Sequence, residues 1–178
     1  SGNYVGGIVG NVEYSSIENS YSTGNVGGYT SVGGVAGEVF HNSSITDSYS
    51  TGTVIGANAV GGVVGEVSGG SSSIEYCAAL TLSVEVGASD AGRVVGNISG
   101  TNTINGNVAW SGLTVIGSTV SDTSQKDGTG RTNTAFHTAS GFPFTVNAAP
   151  SPWVYTPGTL PILNGLAGQN SALPAHLQ

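Results

Sequence analysis

The hexapeptide VGGIVG at residues 5–10 returns as VGGVAG at 32–37, as VGGVVG at 60–65 and as AGRVVG at 91–96. Counted from Val5, Val32, Val60 and Ala91, the spacings are 27, 28 and 31 residues. A period of this size is the mark of a solenoid, propeller or array, in which each unit needs its neighbours to bury an apolar face. A second block keeps the same phase: IENSYSTGNV at 17–26, ITDSYSTGTV at 45–54, IEYCAALTLSV at 74–84 and INGNVAWSGLTV at 104–115. It aligns Ile17 with Ile45, Ile74 and Ile104, then Ser20, Ser48, Cys77 and Asn107, then Ser22, Ser50, Ala79 and Ala109, and ends on Val26, Val54, Val84 and Val115. The segments are short, rich in β-branched residues and punctuated by Gly, Ser and Asn, so each repeat reads as two or three strands; no window shows a helical period. Stacking like on like gives a parallel β-solenoid whose coils sit at the strand spacing of about 4.8 Å.

Within the hexapeptide, Gly6, Gly33, Gly61 and Gly92 read as sites where a Cβ would block close backbone approach. The next column holds Gly7, Gly34, Gly62 and Arg93, and the arginine suggests that it faces outward. Strict alternation then points Ile8, Val35, Val63 and Val94 inward. It leaves Val9, Ala36, Val64 and Val95 as an outer apolar stripe, either covered or removed by a break in the alternation.

The totals agree with a β fold. Charged residues are 7% and hydrophobic residues 38% of the 178; disordered chains pair low hydrophobicity with high charge. The net charge is −7 and the fixed cations are Arg93, Lys126 and Arg131, too few to neutralise phosphates, so nucleic acid is not an expected partner. No apolar run approaches the length of about 18 residues that suggests a membrane-spanning helix, and no membrane insertion is expected. A single cysteine, Cys77, makes no intrachain disulfide. The chain has no Met and its first coil starts at once, which leads to the expectation of a longer parent with other domains.

The pattern VGG[IV][VA]G, a polar stretch, then I-x-x-S-Y-S-T-G-x-V resembles the GLUG motif of bacterial surface and secreted proteins. The likeness is close over 4–54, looser over 60–84 and loosest over 91–115. The resemblance implies a right-handed β-helix-like solenoid on a cell surface, and it implies no catalytic residues, since none belong to the motif. The sequence also lacks an HExxH metallopeptidase motif.

The expected organisation is a solenoid of about four coils over 1–115, an irregular last coil and a cap rich in aromatics and proline over 116–163, and a tail or linker over 164–178. The cap segment gathers Phe142, Phe144, Trp153, Tyr155, Leu160, Ile162 and Leu163, with five of the six prolines between Pro143 and Pro161. An open solenoid end exposes core and unpaired strand edges, so 141–163 is expected to close the last coil.

Candidate chemistry is sparse. Polysaccharide lyases and hydrolases use similar solenoids but need paired carboxylates, with a cation where an anion develops. Glu18 and Glu75 share a column with Thr46 and Asn105 and read as an outward polar row. Glu38 and Glu66 follow their hexapeptides, where Asn11 and Asn97 stand in the other repeats; a calcium site there is weighed against ordinary turn residues, and the latter preferred. His41, His137 and His176 lack metal-ligand spacing and read as surface or loop residues. Cys77 reads as a small buried side chain. Tyr21 and Tyr49 stack one coil apart beside Thr23 and Thr51; this set is the candidate ligand-binding site, where a sugar ring would lie on exposed aromatics, unless the tyrosines serve to cover the wall. No cofactor, metal or catalytic residue is assigned.

The expectation is therefore an all-β, non-catalytic module, extracellular or on a bacterial surface, acting in adhesion or as a spacer, with a glycan or a host or extracellular protein as the possible ligand. The alternatives are an accessory carbohydrate-binding module of a secreted enzyme or peptidase and, behind it, a lyase or hydrolase on a β-helix. Four coils span on the order of 15–20 Å, a stub rather than a long stalk.

Overall fold

The computed structural model describes residues 3–118 and 125–178. Asp122 and that part of the irregular coil expected at 119–124 lie outside the described residues. Each coil carries four short strands rather than two or three, because the polar stretch after the hexapeptide is itself extended. The strands of successive coils pair in parallel into four sheets. Sheet A contains Val5–Gly6, Thr30–Gly33, Val54–Gly61, Ser83–Gly92 and Thr114–Ile116, with Val26–Gly27 pairing beside it. Sheet B contains Val9–Glu13, Ala36–Phe40, Val64–Ser68 and Val95–Ile98. Sheet C contains Ser16–Glu18, Ser44–Thr46, Ser73–Glu75 and Thr103–Asn105. Sheet D contains Tyr21–Ser22, Tyr49–Ser50, Ala78–Ala79, Val108–Trp110 and, as a fifth rung within the segment expected to be irregular, Thr129–Arg131.

Register follows the sequence columns. Val5, Val32, Val60 and Ala91 are mutual neighbours in sheet A, as are Val26, Val54, Val84 and Val115. Ile17, Ile45, Ile74 and Ile104 form the ladder of sheet C. The interior is lined by Val, Ile and Ala with Cys77, and Val32, Val54, Val60, Ile45 and Ile74 are fully buried. Each such side chain contributes about 1.5–3 kcal/mol on leaving water, and small branched residues are what a narrow coil can hold.

The hexapeptide is a corner. Sheet A strands end at its first glycine, and sheet B strands begin at its fifth residue. Across the bend, the amides of Val35 and Ala36 both donate to the Val63 carbonyl, at 2.8 and 3.2 Å. That shared acceptor breaks the alternation: Val35, Val63 and Val94 are buried, and so are Ala36, Val64 and Val95. The expected outer apolar stripe does not exist. Ile8, expected inside, is exposed in the first coil.

Two glycine columns make the corner possible. A Cβ on Gly61 would overlap the Val64 carbonyl and lie 2.6 Å from Gly96 N and 2.8 Å from Val94 O. A Cβ on Gly65 would collide with the Ser31–Val32 peptide, so the last glycine of the hexapeptide lets sheet B lie directly on sheet A. The Gly34 column does not face outward as Arg93 suggests. A Cβ on Gly34 would meet the Ser50 side chain of sheet D. Arg93 fits because it sits on the last full coil, where its amide bonds Asp127 Oδ1 at 2.9 Å and its guanidinium donates to the Gly128 carbonyl at 3.2 Å.

The C-terminal segment does not plug the end of the solenoid. It folds back along the flank and lies on the outer face of sheet D. Phe136, Phe142, Phe144, Trp153, Tyr155, Leu160, Leu173 and Leu177 form a second core with Tyr49, Ala78, Leu80 and Val108. Residues 164–178 belong to this pad rather than to a free tail: Leu173 and Leu177 are buried in it, and His176 Nε2 donates to the Leu80 carbonyl at 2.7 Å. Trp153–Val154 and Ile162–Leu163 pair antiparallel within the pad. The physical reason is the composition of sheet D, whose outward column of Tyr21, Tyr49, Ala78 and Val108 offers a long apolar strip that only bulky side chains can cover.

Candidate functional site

At the corner between sheets C and D the chain turns through left-handed backbone at Asn19, Asp47, Tyr76 and Gly106, with φ of 49°, 50°, 53° and 67°. Asn and Asp tolerate that region better than most residues. The residue that follows turns inward and satisfies the corner. The Ser48 hydroxyl accepts from Ser20 N at 3.1 Å and donates to the Thr46 carbonyl at 2.8 Å. Asn107 takes Cys77 N at 2.8 Å and gives to the Ile74 carbonyl at 2.8 Å. Cys77 is fully buried in the same column, and burial pushes its thiol up to about 12, so it holds a proton and packs.

Two residues after Asn19 and Asp47 stand the tyrosines of the candidate ligand site. Tyr21 and Tyr49 do stack, with ring centroids 5.1 Å apart and planes 11° from parallel. Tyr49, however, is completely buried. Trp153 and Phe144 pack on its ring at centroid distances of 5.6 and 6.4 Å, and its hydroxyl donates to the Pro161 carbonyl at 2.8 Å. Tyr21 is half-buried, and its hydroxyl donates to Gln169 Oε1 at 3.1 Å. Thr51 is buried and Thr23 exposed. The expected open aromatic platform is thus the seat of the pad, and a sugar ring has no access to Tyr49. The clue lay in the C-terminal third: an exposed aromatic ladder and an unplaced aromatic segment in one chain are complementary surfaces.

The acidic residues fall into two settings. Glu38 and Glu66 lie in sheet B strands rather than in turns, in one row with Asn11 and Asn97. Asn11 Nδ2 donates to Glu38 Oε2 at 2.8 Å and Ser68 Oγ to Glu38 Oε1 at 2.9 Å. Ser31 Oγ and Asn97 Nδ2 donate to the two oxygens of Glu66 at 2.9 and 3.2 Å. Burial raises the Glu38 carboxyl above its ordinary range, Glu66 and Glu13 add to this, and the Ser68 and Asn11 bonds oppose it. The row is two amide–carboxylate pairs, Asn11–Glu38 and Asn97–Glu66, each with a serine hydroxyl on its second oxygen. Among the described residues no three His, Cys, Asp or Glu gather as metal ligands. Glu18 and Glu75 align through Thr46, as the columns require.

The second setting is a cleft of about 330 Å³ at the edge of the pad, lined by Asn19, Asp47, Thr145, Ala149, Pro150, Ser151 and Pro152. Two further surface clefts lie at the first coil (Val9, Asn11, Val12, Glu13, Ser15, Ser16, Ile17) and on sheet A (Ile55, Gly56, Glu85, Val86, Gly87, Ile116). Each of the three is lined by one carboxylate and by no Arg or Lys. Arg131 Nη1 is engaged by the Ser140 carbonyl at 3.0 Å. The histidines are structural to differing degrees: His41 stacks on Phe40 near the surface, whereas His137 donates to the Leu177 carbonyl at 2.8 Å and helps hold the pad.

These features define a parallel β-solenoid built as a repeat module, with a C-terminal pad along one flank. The GLUG motif model matches residues 1–27 and 28–55, so the first two coils are GLUG-motif repeats. No curated protein and no solved structure matches the chain.

Proposed function

We propose that this chain is a non-catalytic, extracellular repeat module of a bacterial surface or secreted protein, acting in adhesion or as a spacer. The observation that carries the reading is the way the chain uses its aromatic and basic side chains. The Tyr21–Tyr49 ladder and the C-terminal aromatics are spent on sealing the flank, and Arg93 and Arg131 on backbone carbonyls. What remains on the walls is mostly short and polar, with single exposed apolar or aromatic side chains such as Tyr14, Tyr29, Ile55 and Tyr76 among them, and the chain has an acidic balance of −7. A net charge well away from zero keeps such a surface from associating with itself. No helix among the described residues is long and apolar enough to cross a membrane.

An accessory carbohydrate-binding role is the second reading, and the cleft beside Asp47 favours it. A binding screen of the purified chain against glycans and extracellular-matrix proteins separates the roles. Saturable binding supports adhesion or carbohydrate recognition according to the ligand found, and silence across the screen supports a spacer. Turnover of a polysaccharide, read as new reducing ends or unsaturated sugars, refutes the non-catalytic reading.

A further inference from the structure

The cleft between the solenoid and the pad holds a carboxylate that the fold leaves unpaired. Asp47 is held firmly by its backbone. Its amide donates to the Glu75 carbonyl at 3.3 Å, and its own carbonyl accepts from Trp153 Nε1 at 3.2 Å. Its carboxylate, half-buried, has no hydrogen-bond or ion-pair partner among the described residues, and neither has the Asn19 amide beside it. Burial raises the Asp47 carboxyl, and nearby Glu18 raises it further. The cleft therefore carries negative potential that no protein cation relieves.

The opposite wall is fixed as well. Ser151 Oγ donates to the Thr145 carbonyl and accepts from Trp153 N at 3.2 Å. Asn147 spans the loop, its Nδ2 donating to the Tyr155 carbonyl and its Oδ1 accepting from Tyr155 N, both at 2.7 Å. A site whose walls are already ordered does not need to be ordered again on binding. Its lining residues combine the apolar Pro150, Pro152 and Ala149 with the polar Thr145 and Asn19. Apolar proline and alanine side chains beside hydroxyl and amide groups suit a pyranose ring, and about 330 Å³ leaves room for one. The unpaired carboxylate asks for a cation.

We propose that this cleft binds a protonated amino sugar, with the ammonium on Asp47, a neighbouring hydroxyl on Asn19 or Thr145, and the ring face against Pro150 and Pro152. The adhesion or spacer reading stands independently of this site, because it rests on the sealed flank and the mostly polar walls.

The test is a heteronuclear NMR titration of the full chain near neutral pH with glucosamine, N-acetylglucosamine, glucose and lysine amide. A single sugar unit binds in the millimolar range. The expected result is saturable shifts with glucosamine at the Asn19, Asp47 and Ser151 amides, and binding at least about tenfold weaker for the two neutral sugars, since a charge-assisted bond is lost. Asp47→Asn keeps a residue suited to positive φ and so retains the fold, read from unchanged shifts elsewhere; it should erase the preference for the amine. Glu85→Gln, a remote carboxylate change on sheet A, should leave it intact. No saturable shift, equal binding of neutral sugars, or an unchanged preference in Asp47→Asn overturns the proposal. Tighter binding of lysine amide than of glucosamine also overturns it, because it moves the occupant to a peptide side chain.

Discussion

The same substitution, Gly→Ala, should have opposite signs at two positions of this solenoid, Gly61 and Gly27. At Gly61 the three atoms nearest the new methyl would all be backbone: the Val64 carbonyl, Gly96 N at 2.6 Å and Val94 O at 2.8 Å. None of these can swing aside as a side-chain end would. The Val94 carbonyl also accepts from Val63 N at 2.9 Å and from Val64 N at 3.0 Å, so moving it strains two hydrogen bonds at the corner. Overpacking costs about 1–3 kcal/mol, and each net hydrogen bond about 1 kcal/mol. Gly61→Ala should therefore destabilise by about 3–5 kcal/mol. Gly27 is an exposed strand residue, and a Cβ added to it would have no heavy atom within 4 Å. Alanine there restricts the unfolded chain and should stabilise by about 0.4–1 kcal/mol. Urea unfolding followed together by Trp fluorescence and circular dichroism measures both. With slopes of about 1–3 kcal/mol per molar urea, the two midpoints should lie more than about 1 M apart. If Gly61→Ala falls within about 1 kcal/mol of Gly27→Ala, the corner is not the close-packed joint described above.

Tyr49→Phe keeps the ring but orphans the Pro161 carbonyl, and should cost about 1–2 kcal/mol by urea denaturation; an unchanged midpoint would mean that the pad is not tethered there. The raised Glu38 carboxyl sets a pH dependence of definite sign. The folded chain holds that proton more tightly than the unfolded chain, so this group's contribution to stability falls as pH rises from its ordinary value of 4.5 through the higher folded value, then levels off. Glu38→Gln should remove that decline, whatever its constant offset, and urea midpoints across the acid range should show the variant gaining on the parent as pH rises; parallel profiles would contradict it.

The periodic part of the fold is legible directly. Ile17, Ile45, Ile74 and Ile104 align by spacing alone and they pair in that order, because in a parallel stack the neighbour of a residue is its equivalent one period away. The corner is not legible. Alternation predicts one buried column among Val35 and Ala36, whereas the bend buries both by letting two amides share one carbonyl. The candidate site fails in the same way: Tyr49 is outward with respect to its own coil, as alternation requires, yet buried with respect to the molecule.

The coil is written in the amino acids alone: its period, its register and the residues that line it all repeat, and each repetition is an independent statement of the same contact. The lateral packing of the C-terminal segment is settled only in three dimensions. The bonds that fix it join residues far apart in the chain, Trp153 to Asp47 across 106 positions and Tyr49 to Pro161 across 112. Each such contact occurs once. An aromatic segment announces that it will be buried, but the hydrophobic effect has no direction, so burial against the end of the coil and burial along its side leave the same mark in the sequence. The choice fell to sheet D, whose stacked tyrosines present a long apolar strip on which the segment packs.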